Sequence, residues 1–373
     1  MSQTNFAALT NEQKTAWSKD FWKIARNSSF MNQFAGSGAN SMVQRITELK
    51  KDEKGARAVI SLVPDLEGDG TVGDYTLEGN EEAMSLSEQV IGMDQLRHAN
   101  RNTGKMSEQK SVVNFREESK SKLAYWIADR TDQLAFLSLS GIAFTQHTNG
   151  GLRPVKAQGQ NLGDLEYASD VSAPSSDRHI RWDATAGDLV EGDTAAVAAG
   201  DYLSYRALVL ARAHARTNFI RGIKGGGNQE VYHVFVTPTC MARLKLDPDY
   251  IANLRSAWNR GTKNPLFSGT SSVMVDGMVI HEFRHVYNTR GATTGNKWGA
   301  SGDINGSRVL ICGAQALGFA DIGDASWDEE DYDYGNQSGI AIGKISGFLK
   351  PRFYSPTSGN DQDFGVMCLD VAV

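Results

Sequence analysis

The spacing of apolar and polar positions changes several times along this chain. Trp17, Phe21, Ile24 and Phe30 share one helical face behind Thr10-Asn-Glu-Gln13, a capping-box sequence, and predict a helix to about Arg26. Residues 31–55 carry no such period, and Gly36-Ser-Gly38 breaks them, so they read as a connecting segment. Ala56 to Val63 reads as a strand. It gives way to a glycine-rich turn region, Asp65 to Gly73, and the chain returns through Met84 to Met93. His98 to Gly104 reads as a turn. From Ser107 to about Gly141, Leu123, Ile127, Leu134 and Leu137 keep helical spacing, and Ser111–Ser140 contains neither Gly nor Pro. Thirty residues of helix would span about 45 Å, a beam and not a local packing unit.

Residues 148–200 have few large apolar groups and read as an irregular excursion or small insertion. Asp201 then caps a helix to about Asn218, ended by Gly225-Gly-Gly227. Val231–Val236 is a strand, Thr237-Pro238 starts a helix, and Asp247-Pro-Asp249 restarts a second one to about Trp258. Strands follow around Asp276-Gly277 between Val273 and Tyr287, and another covers Arg308–Cys312. After the acidic run Asp328–Asp333 the chain closes with strands over Ile340–Phe348 and Phe364–Val373. The sum is α+β, with a long helix and a projecting hairpin.

Charge sharpens the picture of the hairpin. Between Arg57 and Arg97 lie nine carboxylates (Asp65, Glu67, Asp69, Asp74, Glu78, Glu81, Glu82, Glu88 and Asp94) and no Lys or Arg. An isolated two-stranded hairpin is marginal in water, so such an arm needs a surface to lie on, preferably a basic one. Tyr202–Gln229 offers five bases (Arg206, Arg212, Arg216, Arg221 and Lys224) and no acid, with Arg212 and Arg216 on one helical face. This pattern reads as a protein that binds copies of itself.

Composition excludes several classes. A chain of 373 residues exceeds the usual single-core size and predicts two or three subdomains. With 40% hydrophobic and 22% charged residues it can bury a core without staples. Cys240, Cys312 and Cys368 are odd in number and far apart, so they predict buried thiols and no disulfide framework. No signal peptide precedes the first helix. The longest apolar run, Leu123–Ala128, is far short of the about twenty residues a membrane helix needs. A net charge of −6 argues against tight general binding to nucleic acid.

Motifs with chemical meaning do not survive their context. His281-Glu282-Phe-Arg-His285 has the zinc-protease spacing and is the one support for the alternative reading, a zinc-dependent hydrolase. Its flanks favour a strand, on which the two imidazoles would stand about 13 Å apart, too far for one metal. Gly68–Gly73 matches the dinucleotide fingerprint, but Glu67, Asp69 and Asp74 would repel a pyrophosphate and no helix follows. The same loop places Thr76 where a calcium loop needs its bidentate glutamate. No phosphate-binding loop and no nucleophile elbow is present. No catalytic residue, metal or cofactor is expected.

Six segments together are similar to one family: Ala16–Trp22, Asp52–Arg57, Leu77–Glu82, Asp94–Asn100, Ile340–Lys344 and Asp363–Val366. The chain resembles, over nearly its whole length, the major capsid proteins of tailed phages, above all the coliphage N-four-like branch. The resemblance implies a Hong-Kong-97-type fold divided as follows. Residues 1–50 form an amino-terminal arm and 51–104 an extended loop. Residues 105–147 and 330–373 form a peripheral domain with a spine helix, 148–217 an insertion and second helix, and 218–329 an axial domain. It implies hexamers and pentamers of an icosahedral shell around double-stranded DNA. Portal and scaffold or decoration proteins would be further partners, and the location would be the virion after assembly in the host cytoplasm. The contacts expected to join the copies are Arg57, the arm acids Asp65, Glu67, Asp69, Asp74, Glu78, Glu81 and Glu82, the bases Arg212 and Arg216, and Trp17 and Trp22.

Overall fold

A computed structural model of the chain describes residues 25, 28–46, 57–62, 69–83, 87–110, 114–225, 229–257, 272–355 and 359–373. The expected first helix, with Trp17 and Trp22, lies outside these residues, as do Asp65 and Glu67.

Two sheets and one long helix organise the rest. The larger sheet has eight strands. Seven lie in the order Ser272–Val275, Met278–Glu282, Glu230–Val236, Gly306–Cys312, Val366–Ala372, His179–Asp183 and Asp188–Glu191, and Ile223–Lys224 pairs beside Glu230–Val236. Every residue of Gly306–Cys312 and of Val366–Ala372 is buried, because both faces of this sheet are covered. Leu310, Cys312, Val366 and Cys368 face Leu134–Leu139 of the long helix. Val309, Ile311, Met367 and Leu369 face Ala207, Leu208 and Ala211 of Tyr205–Thr217 and Met241 and Leu244 of Pro238–Leu246. The three cysteines are buried thiols.

The smaller sheet has five strands, ordered Ala35–Gly36, Val43–Ile46, Leu317–Tyr332, Gln337–Leu349 and Asp94–Arg101. Its centre is the long hairpin of Leu317–Tyr332 with Gln337–Leu349. The register of that hairpin shifts between Ile322 and Ser326, where Gly323, Asp324 and Ala325 stand against Lys344 alone. Lys344, 4% exposed, pairs there with Asp321 and donates to the Gly323 carbonyl. Val43–Ile46 lies parallel to Leu317–Tyr332, so residues 31–55 are not merely a connection. Val43 and Met42 are buried there, and a four-residue strand is too short for its period to show in sequence.

The expected unbroken helix from Ser107 to Gly141 is corrected to Lys105–Lys110 and Phe115–Ser140. Asn114 interrupts it by leaving the helical conformation and accepting the Arg116 N–H as an N-cap. The end is as expected, with Gly141 left-handed at φ 68° and its N–H on Leu137 and Ser138 carbonyls. Twenty-six residues give a beam of about 39 Å. Its first half packs Leu123, Ala124 and Ile127 on Trp327, Ile340 and Ile342, and its second half enters the core shared by both sheets. The helix expected to start at Asp201 starts at Tyr205 under a Ser204 cap, because the Asp201 carboxylate is taken by the Ala184 and Ala198 N–H groups. The closing strands go to different sheets: Gln337–Leu349 to the smaller, Val366–Ala372 to the larger. Residues 148–200 are irregular as read, but they add the edge hairpin His179–Asp183 with Asp188–Glu191 to the larger sheet.

Candidate assembly surfaces

The acidic arm is a hairpin, Arg57–Leu62 antiparallel to Ser87–Gly92, with Arg57 opposite Gly92 and Val59 opposite Val90. Its strands alternate. Ala58, Ile60 and Ile91 are buried with Met93, Ala320 and Phe353, while Val59 and Val90 face outward. The arm's root therefore rests on its own body. Two glycines of the smaller sheet admit it: a Cβ on Gly347 would lie 2.1 Å from the Gly92 carbonyl oxygen, and one on Gly318 2.2 Å from Ile60 Cδ1. Asp170 accepts the Gly92 N–H at 3.1 Å, and Gln89 accepts the Arg352 N–H at 2.9 Å.

The arm's tip differs. Residues 69–83 form no strand and are exposed nearly throughout, including Asp69, Asp74, Glu78, Glu81 and Glu82. Val72, Tyr75 and Leu77 stand 78%, 83% and 60% exposed among these acids. Local bonds set the loop's shape: Glu81 accepts the Gly79 N–H at 2.7 Å, and Asn80 donates to the Thr76 carbonyl at 2.9 Å. Asp69, Asp74, Glu78 and Glu81 make no ion pair among the described residues.

The basic helix is less available than its sequence implies. Arg212 Nη1 lies 2.7 Å from Asp276 Oδ1, and its guanidinium covers Gly277, where a Cβ would meet Nη2 at 3.1 Å. Asp276 and Gly277 both have positive φ, so Arg212 braces the turn between two strands. Arg216 is more exposed, and its Nε stands 3.9 Å from Glu230. Among the described residues neither arginine forms an ion pair with an arm acid.

The zinc-like motif lies on a strand and the turn after it, as expected, and not on a helix. His281 Nε2 meets His233 Nδ1 on the neighbouring strand at 3.0 Å, while His285 Nε2 meets Asp129 of the long helix at 2.8 Å. Burial and the nearby His233 push His281 down to about 4. The hydrogen bond from His285 holds Asp129 down at about 2, against its partial burial. Phe34 lies edge-on to both His233 and His281. These histidines fasten strands and the long helix to one another. Among the described residues no three His, Cys, Asp or Glu side chains come together as a metal site. No helix among them is long and apolar enough to cross a membrane.

Sequence reasoning missed the buried ionic joints. Asp132 on the long helix accepts the Ser29 hydroxyl at 2.6 Å and the Phe30 and Met31 N–H groups at 2.9 and 3.1 Å. Arg308 and Asp370 form a two-bond pair at 2.8 and 2.9 Å, joined by His179, and Arg308 also donates to the Ser140 carbonyl at the end of the long helix. Lys350 and Arg352 share Asp363. The signal was present: single charges inside the apolar runs Arg308–Cys312 and Cys368–Val373 imply partners.

Among the described residues the buried charges of Arg308 with Asp370 and of Lys350 with Asp363 are paired within the subunit, while Asp69, Asp74, Glu78 and Glu81 stand exposed on the loop. The subunit's fold is that of the Hong-Kong-97-type phage capsid proteins. The capsid of Ralstonia phage GP4 aligns with a TM-score of 0.72 at 26% identity, covering 92% of this chain and 90% of that one. The Cyanophage Pam1 capsid aligns with a TM-score of 0.71 over 100% of this chain and 96% of that one, at 16% identity, a likeness of fold alone. The chain belongs to the phage capsid protein family, whose sequence profile matches residues 5–373. The major capsid protein of Pseudomonas phage KPP25 is 57% identical over 371 residues, 99% of this chain and 97% of that one. The chain is a phage major capsid protein, a structural subunit of the virion shell and not an enzyme. The hydrolase reading has no support.

Proposed function

We propose that copies of this chain close an icosahedral shell of hexamers and pentamers around double-stranded DNA, on the plan of the coliphage N-four-like branch. The loop over residues 69–83 is the element that reaches a neighbouring copy. One observation carries this reading: the arm's root is buried on its own subunit, while its tip holds exposed carboxylates and exposed Val72, Tyr75 and Leu77. Apolar groups so placed are expected to be covered by a partner. Asp69, Asp74, Glu78, Glu81 and Glu82, with Asp65 and Glu67 beside them in sequence, meet a basic surface of the neighbour that includes Arg216. Arg212 is left out because Asp276 holds it. Arg57, Trp17 and Trp22 belong to the same contacts through the arm and the amino-terminal segment.

Residues 105–147 and 330–373 form the peripheral domain around the long helix, and residues 218–329 the axial domain. Assembly takes place in the host cytoplasm with a portal and with scaffold or decoration proteins. The genome is held without sequence-specific contact, as the net charge of −6 favours. Replacing residues 64–83 by a short Gly-Ser turn is the test. A folded subunit that yields no particles by electron microscopy is the expected result. Normal shells from that variant would end the proposal for the arm.

A further inference from the structure

The helix Tyr205–Thr217 ends in a Schellman motif. The Ile220 N–H reaches the Ala215 carbonyl at 2.9 Å and the Phe219 N–H the Arg216 carbonyl at 3.2 Å. Ile220 and Ala215 are buried in the core of the larger sheet, so the turn is fixed from within. The motif requires a left-handed residue at position 219, where glycine is the ordinary choice. This chain has Phe219 there, at φ 57° and 80% exposed. Within the subunit that choice costs twice, in backbone strain and in a large apolar group left in water. The fold takes nothing from the phenyl ring in return, and strain kept without local benefit points to a use elsewhere.

The surroundings say what that use is. Arg221 and Lys224, after Phe219 in the chain, are exposed, and Arg216, before it, is 59% exposed. Glu230 lies opposite Lys224 in the strand pair and 3.9 Å from Arg216. An exposed phenyl ring is thus carried on a turn whose neighbouring chain positions supply three exposed cations. The loop 69–83 is its complement, with Tyr75 and Leu77 exposed among Asp74, Glu78 and Glu81. Tyr334, the other exposed aromatic with positive φ, follows an acidic run and offers that loop no such match.

We infer that Phe219, with Arg216, Arg221 and Lys224 close to it along the chain, is the docking site for the acidic loop 69–83 of a second copy of this chain. Tyr75 and Leu77 cover the phenyl ring while the carboxylates face the bases. This rests on the arm reading above and names the surface that the arm meets.

The test compares two properties that should move in opposite directions. Phe219→Gly relieves the left-handed strain, so the free subunit melts at the same or a higher temperature. Its critical concentration for assembly rises by about tenfold or more, the loss expected for a central apolar anchor. Arg221→Glu raises that concentration too, and Arg221→Glu combined with Glu78→Lys and Glu81→Lys brings it back toward the wild-type value. Phe219→Gly subunits that assemble at the wild-type concentration overturn the inference. So does an Arg221→Glu defect that the two reversed acids leave unchanged. If the loop-replaced variant fails to assemble while Phe219→Gly and Arg221→Glu assemble normally, the arm stands and this docking site falls. If the loop-replaced variant makes shells, both fall.

Discussion

Arg308 is buried at 5% exposure and Asp370 completely, each carrying charge into the core. Burial pushes the Asp370 carboxyl up, but Arg308 and His179 outweigh it and hold it below the usual carboxylate range. Removing one member leaves the other charge buried alone. Asp370→Ala is therefore expected to destabilise the subunit by about 3–5 kcal/mol, read from the urea midpoint. A change within the range of surface substitutions would mean that Arg308 finds another partner. The His233–His281 contact gives a pH dependence. His281, held at about 4, stays neutral in the folded protein, whereas the unfolded chain takes up the proton near pH 6.5. The unfolded state thus binds more protons between those values, and stability falls as pH drops from 6.5 toward 4. His281→Phe should flatten that slope in unfolding curves run across the window, and an unchanged slope would place the titration elsewhere. At this scale the sequence was legible in part. The context of the zinc-like motif was enough to reject it, because strand flanks are a local signal. The partners of Asp132, Arg308 and Lys344 were not, because each lies far away in the chain.

Elements that bury one face against a neighbour were the easiest to read. The arm strands fall inside the expected Ala56–Val63 and Met84–Met93, and the turn at Asp276-Gly277 was marked by its residues. What alternation could not say was which surface the arm's inner face would meet. Charge suggested a basic helix, whereas Ala58, Ile60 and Ile91 meet Ala320 and the glycines of their own smaller sheet. The long helix was over-read because Asn114 is tolerated inside helices and its capping geometry shows only in three dimensions. Gly347→Ala tests the arm's seat. Its methyl would meet a backbone oxygen that cannot swing aside, so a loss of about 1–3 kcal/mol is expected. Amide exchange in Arg57–Leu62 and Ser87–Gly92 should quicken with it. Exchange at the wild-type rate would mean that the seat yields without strain.

The whole molecule was legible mainly through likeness to a family, since no catalytic signature marks a shell protein. The two sheets are joined through one core. It holds Phe235, Leu310 and Val366 of the larger sheet together with Leu317, Phe319 and Phe348 of the smaller, with Leu134–Leu139 of the long helix among them. The free subunit should therefore unfold in a single step, with far-ultraviolet circular dichroism and tryptophan fluorescence tracing one coincident curve. Two separated transitions would show that the shared core is not the binding element. The shifted register beside Lys344 has a consequence at this scale. Two surplus residues on one side of a ladder turn a straight ribbon into a bent one, and the buried ammonium locks the elbow. On one side of the elbow the ribbon carries Phe319 and Phe348, on the other Trp327 and Ile342, so neither half can straighten without tearing a core. A rigid elbow of this kind gives every copy of the subunit the same bend.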